Sequence, residues 1–261
     1  MTPEQIPLHP VPSIECRSCG AGAPRDEHFC PSCSRILALG RHGDYFSYLG
    51  LRRALTVDLA DLDRRFRELS RKFHPDYYYN ATPAERLASL ERSSYLNDAV
   101  RTIRNPVSRI EHLLAIEGLP PAQSEAPQPG SGQPGATVPP SLLEEVFALN
   151  EELDEIRELR ESGADAARVR ARLDAARAPI DQRREQHEQE LRNLSALWDS
   201  QLESASPADR RKTLDALRER LLERNYINNL LATIEREAAG LGPGLQPSGR
   251  EGQDLKTGAH G

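Results

Sequence analysis

The chain has 261 residues, 38% hydrophobic, 5% aromatic and 28% charged, with 20 prolines and 17 glycines, a composition too poor for one large core and better suited to small helical units joined by loose chain. Forty acidic against 34 basic residues leave a formal net charge of -6 and a pI near 5.7, so no global basic field draws the protein to nucleic acid or anionic lipid. No run approaches the roughly 18 apolar residues of a membrane span, and the first 15 residues carry neither a secretory nor a transit pattern, which predicts a cytoplasmic protein with no membrane and no nucleic-acid partner.

All four cysteines fall within the first 33 residues, too few and too local to staple a secreted fold of this length. Cys16-Arg-Ser-Cys19 and Cys30-Pro-Ser-Cys33 are two C-x-x-C knuckles ten residues apart, the spacing that brings four thiolates around one tetrahedral ion. Gly20 follows the first knuckle and can take the positive φ that a tight chelating loop requires. The head, residues 14–40, is therefore predicted to be a closed structural metal site holding zinc ahead of iron, since all four ligands are sulfur and an open catalytic position normally involves His or a carboxylate. Two disulfides or an unliganded thioredoxin-like pair are the competing readings, although no βαβ pattern follows the cysteines. The head has no core without metal. Residues 43–239 have apolar faces of their own, and their helices are expected to survive loss of the ion.

Residues 43–117 read as a compact helical segment. A short helix is expected near 44–49. Leu59, Leu62, Phe66, Leu69 and Phe73 recur at steps of three and four and predict a helix from about Asp58 to Phe73, which Pro75 stops. Thr82, Pro83 and Glu85 form a capping-box-like start for a helix carried by Leu87, Leu90, Leu96, Val100 and Ile103 to Asn105, and a further helix runs from about Val107 to Ile116. The loop of this hairpin holds His74-Pro75-Asp76 and then Tyr77-Tyr78-Tyr79. His74 and Asp76 as an acid-base pair is a poor reading, because the rigid proline between them gives the side chains no reason to meet. A turn with a helix-stopping proline accounts for Pro75 but not for its two neighbours. Arg64, Arg65, Arg67, Arg71 and Lys72 make the preceding helix cationic, either as a solvated face or as a surface steering an acidic partner.

Residues 118–140 hold seven prolines and four glycines and predict a flexible linker; residues 240–261 predict a disordered tail. Between them, helices at about 141–161, 165–203 and 207–239 predict an antiparallel three-helix bundle, with a kink or break near Arg177 where Pro179 interrupts the second. In the first of these, Leu142, Val146, Leu149, Leu153 and Ile156 form the core stripe. Leu143 and Phe147 lie outside it in a row that continues to Glu151 and Glu155, an apolar pair followed by two carboxylates on one exposed side.

Arg71-Lys72-Phe73 ahead of His-Pro-Asp, with Leu96-Asn97-Asp98-Ala99 on the return helix, resembles the J-domain of DnaJ-type co-chaperones. Asp44-Tyr45-Phe46 before Leu49-Gly50-Leu51, Asn105-Pro106, the run Arg109-Ile110-Glu111-His112-Leu113-Leu114, and Asn150-Glu151-Glu152-Leu153-Asp154-Glu155-Ile156 narrow the resemblance to the HscB-type co-chaperones of iron-sulfur cluster assembly. It spans about 43–239 apart from the linker, and the four-cysteine head is similar to that of eukaryotic and some bacterial members. The resemblance implies an all-α protein that makes no covalent change itself. His74, Pro75 and Asp76 would dock on a DnaK-class or HscA-class ATPase chaperone and stimulate its ATP hydrolysis, with the cationic helix facing an acidic patch. The bundle would deliver an IscU-type scaffold protein. Leu143, Phe147, Glu151 and Glu155 match scaffold-contact positions and Tyr226 an aromatic one. Asn150 stands where a basic residue is common and Ala148 where an acidic one is, and the linker is longer than the family's compact joint. A J-domain protein with another client, and a zinc-ribbon interaction protein with an inert hairpin, are the alternatives.

Overall fold

The structure is a computed structural model that describes residues 13–24, 27–40, 43–121 and 140–240; most of the expected linker and all but the first residue of the expected tail lie outside these. Two short strands come first, β1 (Ser13–Glu15) and β2 (Gly22–Pro24), paired antiparallel with Ile14 opposite Ala23. Helices account for the rest of the regular structure: α1 (Tyr45–Tyr48), α2 (Leu59–Phe73), α3 (Pro83–Arg104), α4 (Pro106–Ile116), α5 (Leu143–Glu161), α6 (Ala166–Gln201) and α7 (Pro207–Ala239).

Side-chain caps and prolines set the helix boundaries. Asp58 accepts a hydrogen bond from the backbone N–H of Ala60 at the start of α2. Thr82 and Glu85 close a full capping box on α3, and the Asn105 side chain accepts from the backbone N–H groups of Val107 and Ser108 to begin α4. Each satisfies donors that a helix start otherwise leaves unpaired, and Pro83 and Pro106 occupy first-turn positions whose missing N–H costs nothing.

The chain packs as two compact units. The first joins the described residues up to 121 to residues 188–222; the second joins 140–187 to 223–240. Each of the two long helices therefore serves both. In the first unit, Phe46, Tyr48, Leu62, Phe73, Leu96, Ile103, Leu113 and Leu114 share one buried cluster with Leu191, Trp198, Leu214, Leu217 and Leu221. The hairpin's fourth helix is thus covered by the end of α6 and the beginning of α7. Trp198 Nε1 donates to the Arg53 carbonyl at 2.8 Å, and the Asp199 carboxylate accepts from the backbone N–H groups of Leu55 (2.6 Å) and Thr56 (2.7 Å). The start of the expected linker belongs here too, since Leu119 is buried in the same cluster. In the second unit the stripe Leu142, Leu149, Leu153 and Ile156 meets Val169, Leu173, Ile180, Ile227, Leu231 and Ile234, with Val146 packed at the edge, which is the expected core stripe.

Three expectations are corrected. Leu59 is exposed at the first position of α2. Leu87 and Leu90 are exposed too, and α3 turns Ala88, Ser89, Arg92, Leu96, Ala99, Val100 and Ile103 inward instead. Pro179 does not break its helix: α6 runs unbroken from Ala166 to Gln201. Both Pro179 and Ala175, whose carbonyl the proline leaves without its helical donor, face solvent, where water can reach that carbonyl.

Candidate functional site

The two knuckles bring the four thiols together. All four Sγ atoms lie within 4.8 Å of one another, with Cys16 to Cys33 and Cys19 to Cys30 each at 3.7 Å, and all four cysteines are free of disulfides. A tetrahedron of sulfurs at the usual zinc–sulfur length of about 2.3 Å has edges of about 3.8 Å, so the donor set and its spacing fit one metal ion. Each knuckle is closed by backbone hydrogen bonds, Gly20 to the Cys16 carbonyl and Ser34 to the Cys30 carbonyl at 2.8 Å, with Gly20 at φ +75. Backbone N–H groups of Ser18 and then Cys19 pull the Cys16 thiol below its usual value. Burial works against Cys30, but the N–H groups of Cys33 and Ser32 bring it down to about 6. Against the backbone hydrogen bonds from Ala21 and Arg35, burial and the neighbouring thiols shift Cys19 and Cys33 up.

The His-Pro-Asp loop begins where α2 ends. His74, at φ -58 and ψ 127, leaves the helical region, and Pro75 opens a single 3₁₀ turn, Pro75–Tyr78. The turn folds Asp76 back over the histidine: its backbone N–H donates to His74 Nδ1 at 3.3 Å, and its carboxylate lies 3.5 Å from the same nitrogen. The two side chains therefore do meet, contrary to the sequence expectation, because the proline starts a turn instead of holding them apart. Both stay open to solvent, at 52% and 87% exposure, and with Nδ1 accepting from the backbone it has no proton to give the carboxylate. Tyr77 and Tyr79 are exposed as well, while the Tyr78 hydroxyl donates to the Lys72 carbonyl at 3.0 Å.

The five cations of α2 divide into two groups. Arg64 pairs with Asp61 and Glu68; Arg65 pairs with Asp61 and donates to the carbonyls of Leu49 and Gly50. Gly50 sits at φ +63, a conformation that L side chains rarely adopt, and a Cβ there would lie 2.9 Å from the Arg65 guanidinium, which would have to shift. Arg67, Arg71 and Lys72 are exposed and make no ion pair among the described residues. They are the exposed charges of the helix that leads into His74.

Beneath the loop the head and the hairpin are packed together. The Phe73 carbonyl, immediately before His74, accepts from the hydroxyls of Ser89 (2.6 Å) and Ser93 (3.0 Å) on α3. The Phe73 ring meets His28 edge-on at 5.0 Å and stacks on Phe29 at 6.0 Å, both from the head. Arg92 lies beside it, 5.7 Å from the ring centroid and 0% exposed. Its guanidinium donates to the carbonyls of Leu37 (2.7 Å), Ala38 (3.1 Å) and Glu27 (3.3 Å) and meets His28 Nδ1 at 2.8 Å. With Nδ1 accepting from a guanidinium, His28 carries its proton on Nε2, which reaches the Tyr48 carbonyl at 3.1 Å. At the rim, Arg35 pairs with buried Glu85 at 2.8 Å.

In the second unit the outer row of α5 is exposed as expected: Leu143, Phe147 at 66%, Glu151 and Glu155 all face solvent. Glu155 shares Arg172 of α6 with Glu152, at 2.8 and 2.7 Å. Tyr226 of α7 is half-buried and packs on the second core.

No family model matches the chain. Among solved structures it is similar to the human co-chaperone protein HscB, with a TM-score of 0.55 and 24% identity, over 86% of this chain and 98% of that one. The chain has the HscB fold. Chaperone HscB from Vibrio cholerae also matches, at 24% identity and a TM-score of 0.46, over 76% of this chain and 99% of that one. The HscB fold accounts for the mostly helical chain with a small cysteine-bearing hairpin at its start. Within it, sequence reasoning found the four cysteines and the exposed tripeptide. It missed Ser89, Arg92, Ser93 and His28, the groups that hold the root of the loop. Ser89, Arg92 and Leu96 stand at steps of three and four, so the signal was present in the spacing, but in residue types ordinarily assigned to a wet face.

Proposed function

We propose that the protein is a non-enzymatic co-chaperone of iron-sulfur cluster assembly. The exposed His74-Pro75-Asp76 turn, on a chain with the HscB fold, carries this reading. The turn docks on a DnaK- or HscA-class ATPase chaperone and stimulates its ATP hydrolysis, with Arg67, Arg71 and Lys72 steering an acidic face of that partner. Leu143, Phe147, Glu151, Glu155 and the edge of Tyr226 receive an IscU-like scaffold protein in the second unit. The cationic and acidic surfaces are thus assigned to different partners. Cys16, Cys19, Cys30 and Cys33 hold one structural zinc, the ion that four thiolates at this spacing suit best in a reducing compartment such as the cytoplasm.

The test is stimulation of the ATPase of purified DnaK or HscA by the full chain, with Asp76→Asn alongside. Stimulation by the parent and its loss in the variant, with helical content unchanged, are expected; full activity in the variant sinks the docking role. Metal analysis of the same preparation is expected to find about one zinc per chain, lost in Cys16→Ser, whereas the absorption bands of bound iron would refute the zinc assignment.

A further inference from the structure

The head's own core is small. Its buried apolar cluster is Cys16, Ala23, Cys30 and Leu37, so two of four members are themselves ligand residues. A segment built this way has little to hold it when the four thiols are not gathered on an ion. Yet this segment supplies four acceptors of the Arg92 guanidinium, the carbonyls of Glu27, Leu37 and Ala38 and the ring nitrogen of His28, beside the Tyr48 side chain of α1, which also hydrogen-bonds it. A buried guanidinium deprived of its acceptors either draws in water or moves.

Arg92 stands one helical turn from Ser89 and next to Ser93, and both hydroxyls hold the Phe73 carbonyl. The Phe73 ring is packed between Arg92 and the head's two aromatic residues, His28 and Phe29. One covalent bond beyond that carbonyl is the backbone nitrogen of His74. The path from the thiols to the His-Pro-Asp turn is therefore short, with Leu37, Arg92, Ser89 and Phe73 buried along it, and it lies entirely within the first unit.

We propose that the four-cysteine head sets the conformation of the His-Pro-Asp turn through Arg92, a positioning residue, so that loss of metal from the head weakens docking on the ATPase chaperone without unfolding the hairpin. This rests on the chaperone reading of the turn and adds a regulation to it. Residues 43–121 keep their other cover when the head lets go, because Leu62, Leu96, Ile103, Leu113 and Leu114 are buried among one another and against Trp198 and Leu217. The head is thus a buttress for the turn.

The experiment uses the full chain, isotope-labelled, as zinc-loaded protein, as protein stripped with a chelator, and as Arg92→Met and Arg92→Lys. Backbone amide shifts of His74, Asp76 and Tyr77 are read against those of Ile110 and Glu111 in α4, alongside far-UV circular dichroism and stimulation of purified DnaK. Stripping and Arg92→Met are expected to move the same loop amides while leaving the α4 amides and helical content in place. The half-maximal concentration for stimulation is expected to rise about five- to tenfold, the scale of an ordinary coupling between sites, with the maximal rate retained. Arg92→Lys, which keeps a donor but not the planar fork, is expected to fall between, and adding zinc back is expected to reverse stripping. Unmoved loop amides after stripping, or wholesale loss of helix, would overturn the proposal. If Arg92→Met fails to fold, the reversible stripping of the parent still decides. If the loaded parent stimulates no chaperone, the chaperone reading fails, while the loop amides still report whether head and turn are coupled.

Discussion

Asp199 offers the sharpest probe of how the hairpin is completed. Its carboxylate accepts two backbone hydrogen bonds, from Leu55 at 2.6 Å and Thr56 at 2.7 Å, residues more than 140 positions earlier in the chain. Hydrogen bonds to a charged group contribute about 1.5–3 kcal/mol each. Because Asp199 is half-buried and Thr56 is exposed, the lower end applies, and Asp199→Ala is expected to cost about 2 kcal/mol, set against those two bonds rather than their full sum. Asp199→Asn keeps one acceptor oxygen and is expected to cost about half as much. The assay is built in. Trp198 is the sole tryptophan of the chain, it is buried against this same segment, and its emission reports the first unit directly. With a urea slope of about 2 kcal/mol per molar, the unfolding midpoint followed by tryptophan emission is expected to fall by about 1 M in the alanine variant. A shift below about 0.2 M would show that the carboxylate only decorates a contact made by apolar packing. Separate midpoints for tryptophan emission and helical signal within the first unit would refute its treatment as one cooperative body.

Further outcomes follow from Phe147, Tyr226 and His112. Phe147→Ala is expected to weaken IscU-type scaffold binding, measured by calorimetry, by about 1 kcal/mol or more while changing stability by less than about 0.5 kcal/mol; Tyr226→Ala, half-buried on the second core, is expected to lose about 2 kcal/mol of stability as well, and equal melting of the two variants would contradict that assignment. His112 Nε2 accepts from the backbone N–H of Tyr45 at 2.9 Å, and burial first, then Arg53, hold its pKa below the ordinary 6.5 against the pull of Asp44. Below pH 6.5 the unfolded chain binds a proton that the folded chain refuses, so this contribution is complete above that pH and declines as the pH falls through the folded value. Urea midpoints at pH 7.5 and 5.5 are expected to differ less in His112→Gln than in the parent, and equal slopes would refute the assignment.

Much of the architecture was legible because it is written in local chemistry. Asp58, Thr82 with Glu85, and Asn105 mark helix starts by side-chain capping, and the cysteine spacing declares a four-sulfur cluster without any tertiary information. The α3 face was misread for the opposite reason. Counting apolar residues selects Leu87 and Leu90, but the helix buries Ser89 and Arg92, whose acceptors come from Phe73 and from head residues more than 50 positions away. Burial of a polar side chain depends on its partner, and a partner that distant leaves no mark on the helix's own periodicity. Of the expected kink or break at Pro179, the break does not occur, since the cost of a proline in a helix depends on whether water reaches the carbonyl it frees, which the sequence does not state. The exposed row of α5 was read correctly, since Leu143 and Phe147 fall outside a stripe that already fills the core. Tyr226, matched to an aromatic scaffold-contact position, is half-buried and packs on that core.

The first unit is assembled from two separated stretches of chain, and this sets a schedule for its synthesis. Leu113 and Leu114 leave the ribosome about a hundred residues before Leu217 and Leu221, which cover them. At roughly 5–20 residues per second, the nascent hairpin waits about 5–20 s with that apolar face exposed. The last turns of the hairpin cannot be sealed by local contacts during this interval, and closure waits for contacts across some 140 positions, such as Trp198 to Arg53, which are slow to form for reasons of chain entropy. A protein proposed to work beside an ATPase chaperone is thus itself, for the seconds before its sole tryptophan emerges, a chain of the kind such chaperones bind.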